Sequence, residues 1–86
     1  MNEMTFMLKV LFFASLKDRV GVKQVEINWT ENACVADLRK QLAEQFPDAG
    51  QVLLTCPVAV NRSFAFDQDT IPSGAEVAFF PRVSGG

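Results

Sequence analysis

The group best placed to do chemistry stands at the end of the sequence, Pro81-Arg82-Val83-Ser84-Gly85-Gly86. Average glycine usage is about 7%, so a glycine pair at one fixed position arises by chance in roughly 0.5% of chains. Glycine carries no Cβ, and such an end can pass through a narrow opening where any side chain would clash. The reactive group is then the α-carboxylate of Gly86. A carboxylate transfers its acyl group only after one oxygen has become part of a good leaving group. ATP on a partner enzyme can provide this by forming an acyl-adenylate. A sulfur or an amine nucleophile can then displace AMP.

The side chains offer less. The chain has no His, which removes the commonest general base and the commonest metal ligand. Ser15, Ser63 and Ser73 therefore lack a base to activate them. Cys34 and Cys56 form no CxxC pair and read as two half-buried thiols of a cytosolic protein, with a disulfide left open by the sequence. Cys34 falls at a helix start, where the dipole lowers a thiol pKa, but without a His partner it reads as a cap or core thiol. Asp67 and Asp69 lie two apart with no third ligand nearby and read as a solvated loop. No metal site and no bound cofactor are expected.

These groups must be held by a chain of 86 residues, 49% hydrophobic and 21% charged, with a net charge of −2. That is one small globular domain. It is too short to build an active site from several loops, so it is not expected to be an enzyme on its own. Nothing in the charge balance favours a polyanion, and no nucleic acid is expected as a partner. The apolar run Met7–Leu8 and Val10–Ala14 is broken by Lys9 and is too short to cross a bilayer. It has no basic n-region or cleavage site, so no membrane association is expected and the location reads as cytoplasmic.

The elements follow from hydrophobic period. Met1–Phe6 reads as a loose N-terminal extension, and 7–86 as the domain with a flexible tail at 81–86. Met7–Phe13 reads as a strand, and Ala14–Val20 as a short helical turn or loop closed by Gly21. In Lys23–Trp29, Val25, Ile27 and Trp29 face one way and Gln24, Glu26 and Asn28 the other, which is a half-buried strand. Val35, Leu38, Leu42 and Phe46 form the stripe of an amphipathic helix, with Asp37, Arg39, Lys40 and Glu44 on its other faces. Asn32 or Cys34 caps it without a clean capping box, and Pro47 ends it. Asp48–Pro57 reads as a connection, Val58–Val60 as a strand, Asn61–Ser63 as a turn and Phe64–Phe66 as a strand. Asp67–Ala75 is a loop, and Glu76–Phe80 the last strand.

This order predicts an α+β fold of the β-grasp, ubiquitin-like kind: a mixed sheet of about five strands with one main helix packed on one face. The expected core is Val10, Phe12, Val25, Ile27, Leu38, Leu42, Val77 and Phe79. Leu11, Phe13 and Phe80 then point away from the helix. Adjacent exposed aromatics on a small domain mark a partner surface.

LKVLFFASLKDRVG near the start, the AVN turn entry at Ala59–Asn61 and IPSGAEVAFFPRVSGG at the end resemble the small, sulfur-carrying subunit of molybdopterin synthase. The resemblance covers nearly all of Leu8–Gly86. Its most specific piece is Glu76-Val77-Ala78-Phe79-Phe80-Pro81, followed after Arg82-Val83-Ser84 by the double glycine. It implies that Gly86 is adenylated by a ubiquitin-activating-like adenylyltransferase, which uses the ATP, and converted to a thiocarboxylate with a sulfur donor enzyme. The tail would then enter the synthase large subunit and donate sulfur to precursor Z, in molybdenum cofactor biosynthesis. The chain itself would be the non-catalytic sulfur-donor half of a sulfurtransferase. Pro81, Arg82, Val83, Ser84 and Gly85 would form the bound approach to Gly86, and Leu11, Phe13, Lys17, Phe64 and Phe80 would face the partners.

Three features depart from that family. Lys17-Asp18 stands where Arg-Glu is common, which keeps the charge but loses the planar guanidinium fork. Ala75 replaces the acid of a Gly-Asp-Glu-Val run, and Met1–Phe6 has no counterpart. Thiamine-type sulfur carriers share the Gly-Gly end but are less similar at Phe79-Phe80-Pro81. A ubiquitin-like protein modifier would use the same adenylate, attacked by a lysine amine.

Overall fold

A computed structural model describes residues 5–81. The expectations for residues 1–4, and those for Arg82, Val83, Ser84, Gly85 and Gly86, lie outside them. The elements run β1 (Thr5–Phe12), α1 (Ala14–Val20), β2 (Gln24–Thr30), α2 (Val35–Gln45), a 3-10 turn (Pro47–Ala49), α3 (Gly50–Thr55), β3 (Val58–Val60), β4 (Ser63–Phe64) and β5 (Glu76–Phe79). The five strands form one sheet in the order β2-β1-β5-β3-β4. β1 and β5 are parallel and the other neighbours antiparallel, which is the mixed sheet expected.

Strand parity builds the core. Residues opposed across a ladder share a face. Val25, Val10, Val77 and Val60 form one row, and Phe12, Phe79 and Val58 the next. α2 lays Val35, Leu38 and Leu42 on this face, all fully buried. Phe46 ends the stripe and meets the edge of Phe12, with ring centroids 5.8 Å apart. All the expected core residues are buried except Val25, which is half-buried near the start of the edge strand β2, while Ile27 and Trp29 farther along it are buried.

The structure corrects several boundaries. β1 begins at Thr5, not Met7, because Phe6 pairs with Trp29 and packs on the core; Thr5 and Phe6 are therefore strand, not loose extension. Residues 48–57 are not a plain connection. Most of them lie in the 3-10 turn and α3, which bury Ala49 and Leu53. A helix of about one and a half turns is too short to show a hydrophobic period. The strand expected at Phe64–Phe66 shrinks to Ser63–Phe64, because the Phe66 N–H donates to Asp69 Oδ2 at 2.7 Å and turns the chain. β5 stops at Phe79, although the Phe80 N–H still donates to the Pro57 carbonyl at 3.1 Å.

α2 also has the capping box that its sequence lacks in standard form. Cys34 is the cap, and Asp37 Oδ2 accepts from the Cys34 N–H at 3.0 Å and from its thiol at 3.3 Å. The Cys34 N–H, then its thiol, hold the Asp37 carboxyl below the ordinary range.

Arg39 is not on an outer face of α2 but buried. Its Nε donates to Asp67 Oδ1 at 2.8 Å, and its Nη1 to the Leu53 carbonyl at 2.9 Å. One side chain thus ties α3 and the loop 67–75 to α2. Asp67 is 60% exposed, so the ion pair itself contributes little. Arg39→Ala is nevertheless expected to lower stability by about 1–3 kcal/mol, through the lost stem packing and the loss of the Leu53 carbonyl's donor. Urea unfolding checks this, and an unchanged midpoint would show that water replaces the guanidinium. Among the described residues, no helix is long and apolar enough to cross a membrane.

Candidate functional site

The sheet has one face under α2 and one open face. Across the open face, Gln24, Leu11, Ala78, Ala59 and Phe64 form a row from β2 to β4. The two alanines leave a low centre between larger walls. Phe13 joins the wall because β1 ends beside it. Its backbone is extended, its N–H donates to the Phe79 carbonyl at 3.2 Å, and Ala14 then turns the chain into α1 with φ 53°. A left-handed conformation is uncommon for a residue with a Cβ, so this tight corner is a local exception.

Phe80 alternates away from the buried Phe79 and meets the rings there. It stacks on Phe13 with centroids 5.1 Å apart and planes 9° apart. It meets Phe64 edge-on at 6.4 Å. Leu11, Phe13, Phe64 and Phe80 thus line one hollow of about 440 Å³, with Arg62 and Glu76 also in its wall. Phe64 is 77% exposed and Phe13 42%, while Leu11 and Phe80 are half-buried. Strand parity predicts Leu11, Phe13 and Phe80 on this surface; Phe64 is expected there only from the family resemblance.

Lys17 is not in that hollow. It lines an adjoining one, with Lys23 and Gln24, on the far side of Leu11 and Phe13. Pro81 is half-buried and lines a separate hollow with Arg19 and Cys56. It directly follows Phe80, so the aromatic patch sits at the root of the chain's last residues.

Sequence reasoning missed Lys23 and Arg62. Arg62 could have been found from the turn chemistry. Asn61 and Arg62 both have positive φ, 51° and 72°, in the two-residue connection between β3 and β4. Asn at such a position is a hairpin signal. Asn61 also clamps this turn to β5: its Oδ1 accepts from the Glu76 N–H at 3.0 Å, and its N–H donates to the Glu76 carbonyl at 2.8 Å.

The cysteines and the Asp67/Asp69 pair singled out in the sequence have structural surroundings. Cys34 and Cys56 are free thiols. Cys56 is buried rather than half-buried, and burial pushes its thiol above the ordinary range, partly offset by the nearby Arg39 guanidinium. Asp67 and Asp69 are not a merely solvated pair: one bonds Arg39, and the other accepts the Phe66 N–H. Among the described residues, no group of three His, Cys, Asp or Glu is placed to hold a metal ion. The arrangement presents an apolar, aromatic surface that runs up to Phe80, next to Pro81 in the chain.

The ThiS family matches residues 10–86. The chain is 35% identical over 86 residues to a molybdopterin synthase sulfur carrier subunit of Escherichia coli, covering 93% of this chain and all of the relative. It is 33% identical over 81 residues to the subunit of that name from Chlamydomonas reinhardtii, covering 92% of this chain and 98% of the relative. Among solved structures, SAMP1 from Haloferax volcanii superposes with a TM-score of 0.80 at 26% identity, covering 93% of this chain and 99% of that one.

Proposed function

This chain belongs to the ThiS family, and from that premise we propose that it is a sulfur carrier, the small subunit of a molybdopterin synthase. The relatives above 30% identity carry that subunit's name, which favours this reading over a thiamine-type carrier. The observation that carries the reading is the aromatic hollow of Leu11, Phe13, Phe64 and Phe80 at the root of the final residues. A small domain gains from such a surface only when a partner covers it.

In this reading the reacting atoms belong to Gly86. One carboxylate oxygen attacks the α-phosphorus of ATP on an adenylyltransferase, and pyrophosphate leaves. Sulfide (HS−), released at that oxidation level by a donor enzyme, attacks the acyl carbon; AMP leaves with the oxygen it shares and the S–H proton goes to solvent, so the carboxylate becomes a thiocarboxylate. On the synthase large subunit that sulfur passes to precursor Z, and water restores the carboxylate. The chain contributes no acid, base or metal. Phe13, Phe64 and Phe80 hold the domain on its partner, and Pro81 starts the tail from a fixed point beside them. Gly85 keeps the approach slim.

The test is the intact mass of the purified protein after incubation with ATP, the adenylyltransferase and the sulfur donor. The expected result is exchange of one oxygen for one sulfur at Gly86, reversed when the large subunit and precursor Z are added. An unchanged mass would overturn the reading. A conjugate to lysines of other proteins, with no thiocarboxylate, would assign the same carboxylate to protein modification.

A further inference from the structure

The net charge is −2, but the charges are unevenly distributed. Asp37 and Glu44 lie on α2, and Asp48 in the 3-10 turn after it. Asp67 and Asp69 lie in the loop whose carbonyls accept from the first-turn N–H groups of α2. Lys40 and the paired Arg39 also lie on α2, so the helix side carries an excess of acid rather than acid alone. The borders of the aromatic patch differ. Lys17 and Lys23 line the hollow on the β2 side of the aromatic patch, and Arg62 lines the aromatic hollow on the β4 side. Glu76 is the acid among these linings, and it forms a charged row on the open face with Lys9 and Glu26, beside the row of Leu11 and Ala78. None of Lys17, Lys23 and Arg62 pairs with another described residue; the ion pair formed among those residues joins Arg39 and Asp67.

Two sets of unpaired cations thus border an apolar centre. A neutral surface covering this face would strip water from them and return nothing. Carboxylates at the two borders would repay that cost and draw the partner in from a distance. Two borders also fix rotation. A partner that matched only the aromatic centre could sit in several orientations, whereas matching both borders leaves one, and with it one direction for the chain after Pro81. Resting on the docking role given above, we propose that the partner surface covering this face has an apolar centre bordered on two sides by carboxylates. Attraction across those borders sets the association rate and the register.

The experiment measures association of the full chain with the molybdopterin synthase large subunit of the same organism, by stopped flow, across a series of NaCl concentrations. The variants are Lys23→Glu, Arg62→Glu, Lys40→Glu and Phe80→Ala, each checked for wild-type thermal unfolding. The three charge reversals change the net charge equally and differ only in place. Lys23→Glu and Arg62→Glu are expected to slow association by about tenfold or more at low salt and to flatten its salt dependence. Lys40→Glu, on the exposed side of α2, is expected to match wild type. Equal slowing by all three would show that net charge acts, not its position, and would overturn the proposal. So would a wild-type association rate that salt does not change. If Phe80→Ala weakens binding while neither border reversal does, the docking role stands and the carboxylate borders fall. If Phe80→Ala changes nothing, the docking role itself falls.

Discussion

Deleting Gly86 is expected to abolish sulfur transfer while the domain stays as stable as wild type. In the proposed reading the carboxylate of Gly86 must reach an activating site and then a second, deeper one, and no described side chain can stand in for it. Deletion would leave the Gly85 carboxylate one residue short, a distance of about 3.5 Å in extended chain. That is enough to take the acyl carbon out of reach of its attacking group, since reacting atoms must come within about 3–3.5 Å. Gly85→Val should fail for a different reason, because a β-branched side chain would have to enter a passage shaped for glycine. Both variants are expected to unfold within roughly 0.5 kcal/mol of wild type, because every core residue described above is left unchanged. The assay combines the large subunit, the adenylyltransferase, ATP, a sulfur donor and precursor Z. Wild-type product from the deletion would show that the double glycine does not carry the sulfur.

Phe79→Ala and Phe80→Ala, one residue apart, are expected to fail in opposite ways. Phe79 is fully buried and packs against Phe12 at 6.2 Å between ring centroids. Its truncation leaves a cavity between sheet and helix and should cost about 3–5 kcal/mol. That is a large part of the roughly 5–15 kcal/mol that holds a domain together. Phe80 is half-buried on the open face, stacked on Phe13. Its truncation should cost about 1 kcal/mol of stability and weaken binding of the large subunit by about 1–3 kcal/mol, in the range of aromatic anchors. Urea midpoints and calorimetric dissociation constants separate the two effects. If Phe80→Ala destabilised the free domain as much as Phe79→Ala, Phe80 would be a core residue and the open-face assignment would be wrong.

Much of this contrast was legible in the sequence, because a strand has a period of two. Once Val10 and Phe12 are taken as inward, Leu11 must be outward, and Val77 and Phe79 leave Phe80 on the same open side. The stripe of Val35, Leu38 and Leu42 was legible for the same kind of reason, with the helical period in place of two. Short elements were not legible. α3 spans six residues and β4 two, fewer than either period needs to declare itself. Arg39 shows a further limit. A helix position that is polar in type reads as outward, and only the packing of α3 and the loop 67–75 against α2 turns it into a buried link.

The sequence by itself determined the order of the strands and of the main helix, the inward and outward sides of each main strand, and the double glycine that singles out Gly86. These are local properties, set by residue type and spacing along one strand or helix. The tertiary structure decided what lies beside what. Phe13, Phe64 and Phe80 come from three separate segments and form one hollow only because β5 sits between β1 and β3, with Phe64 on the edge strand beyond. The pairing of Leu11 with Ala78, Ala78 with Ala59 and Ala59 with Phe64 puts small residues at the centre of that hollow. The cations that border it, Lys17 and Lys23 on one side and Arg62 on the other, belong to segments that no sequence period relates. Strand order and register are choices among long-range pairings, made by the total burial they achieve, and no residue carries that information alone.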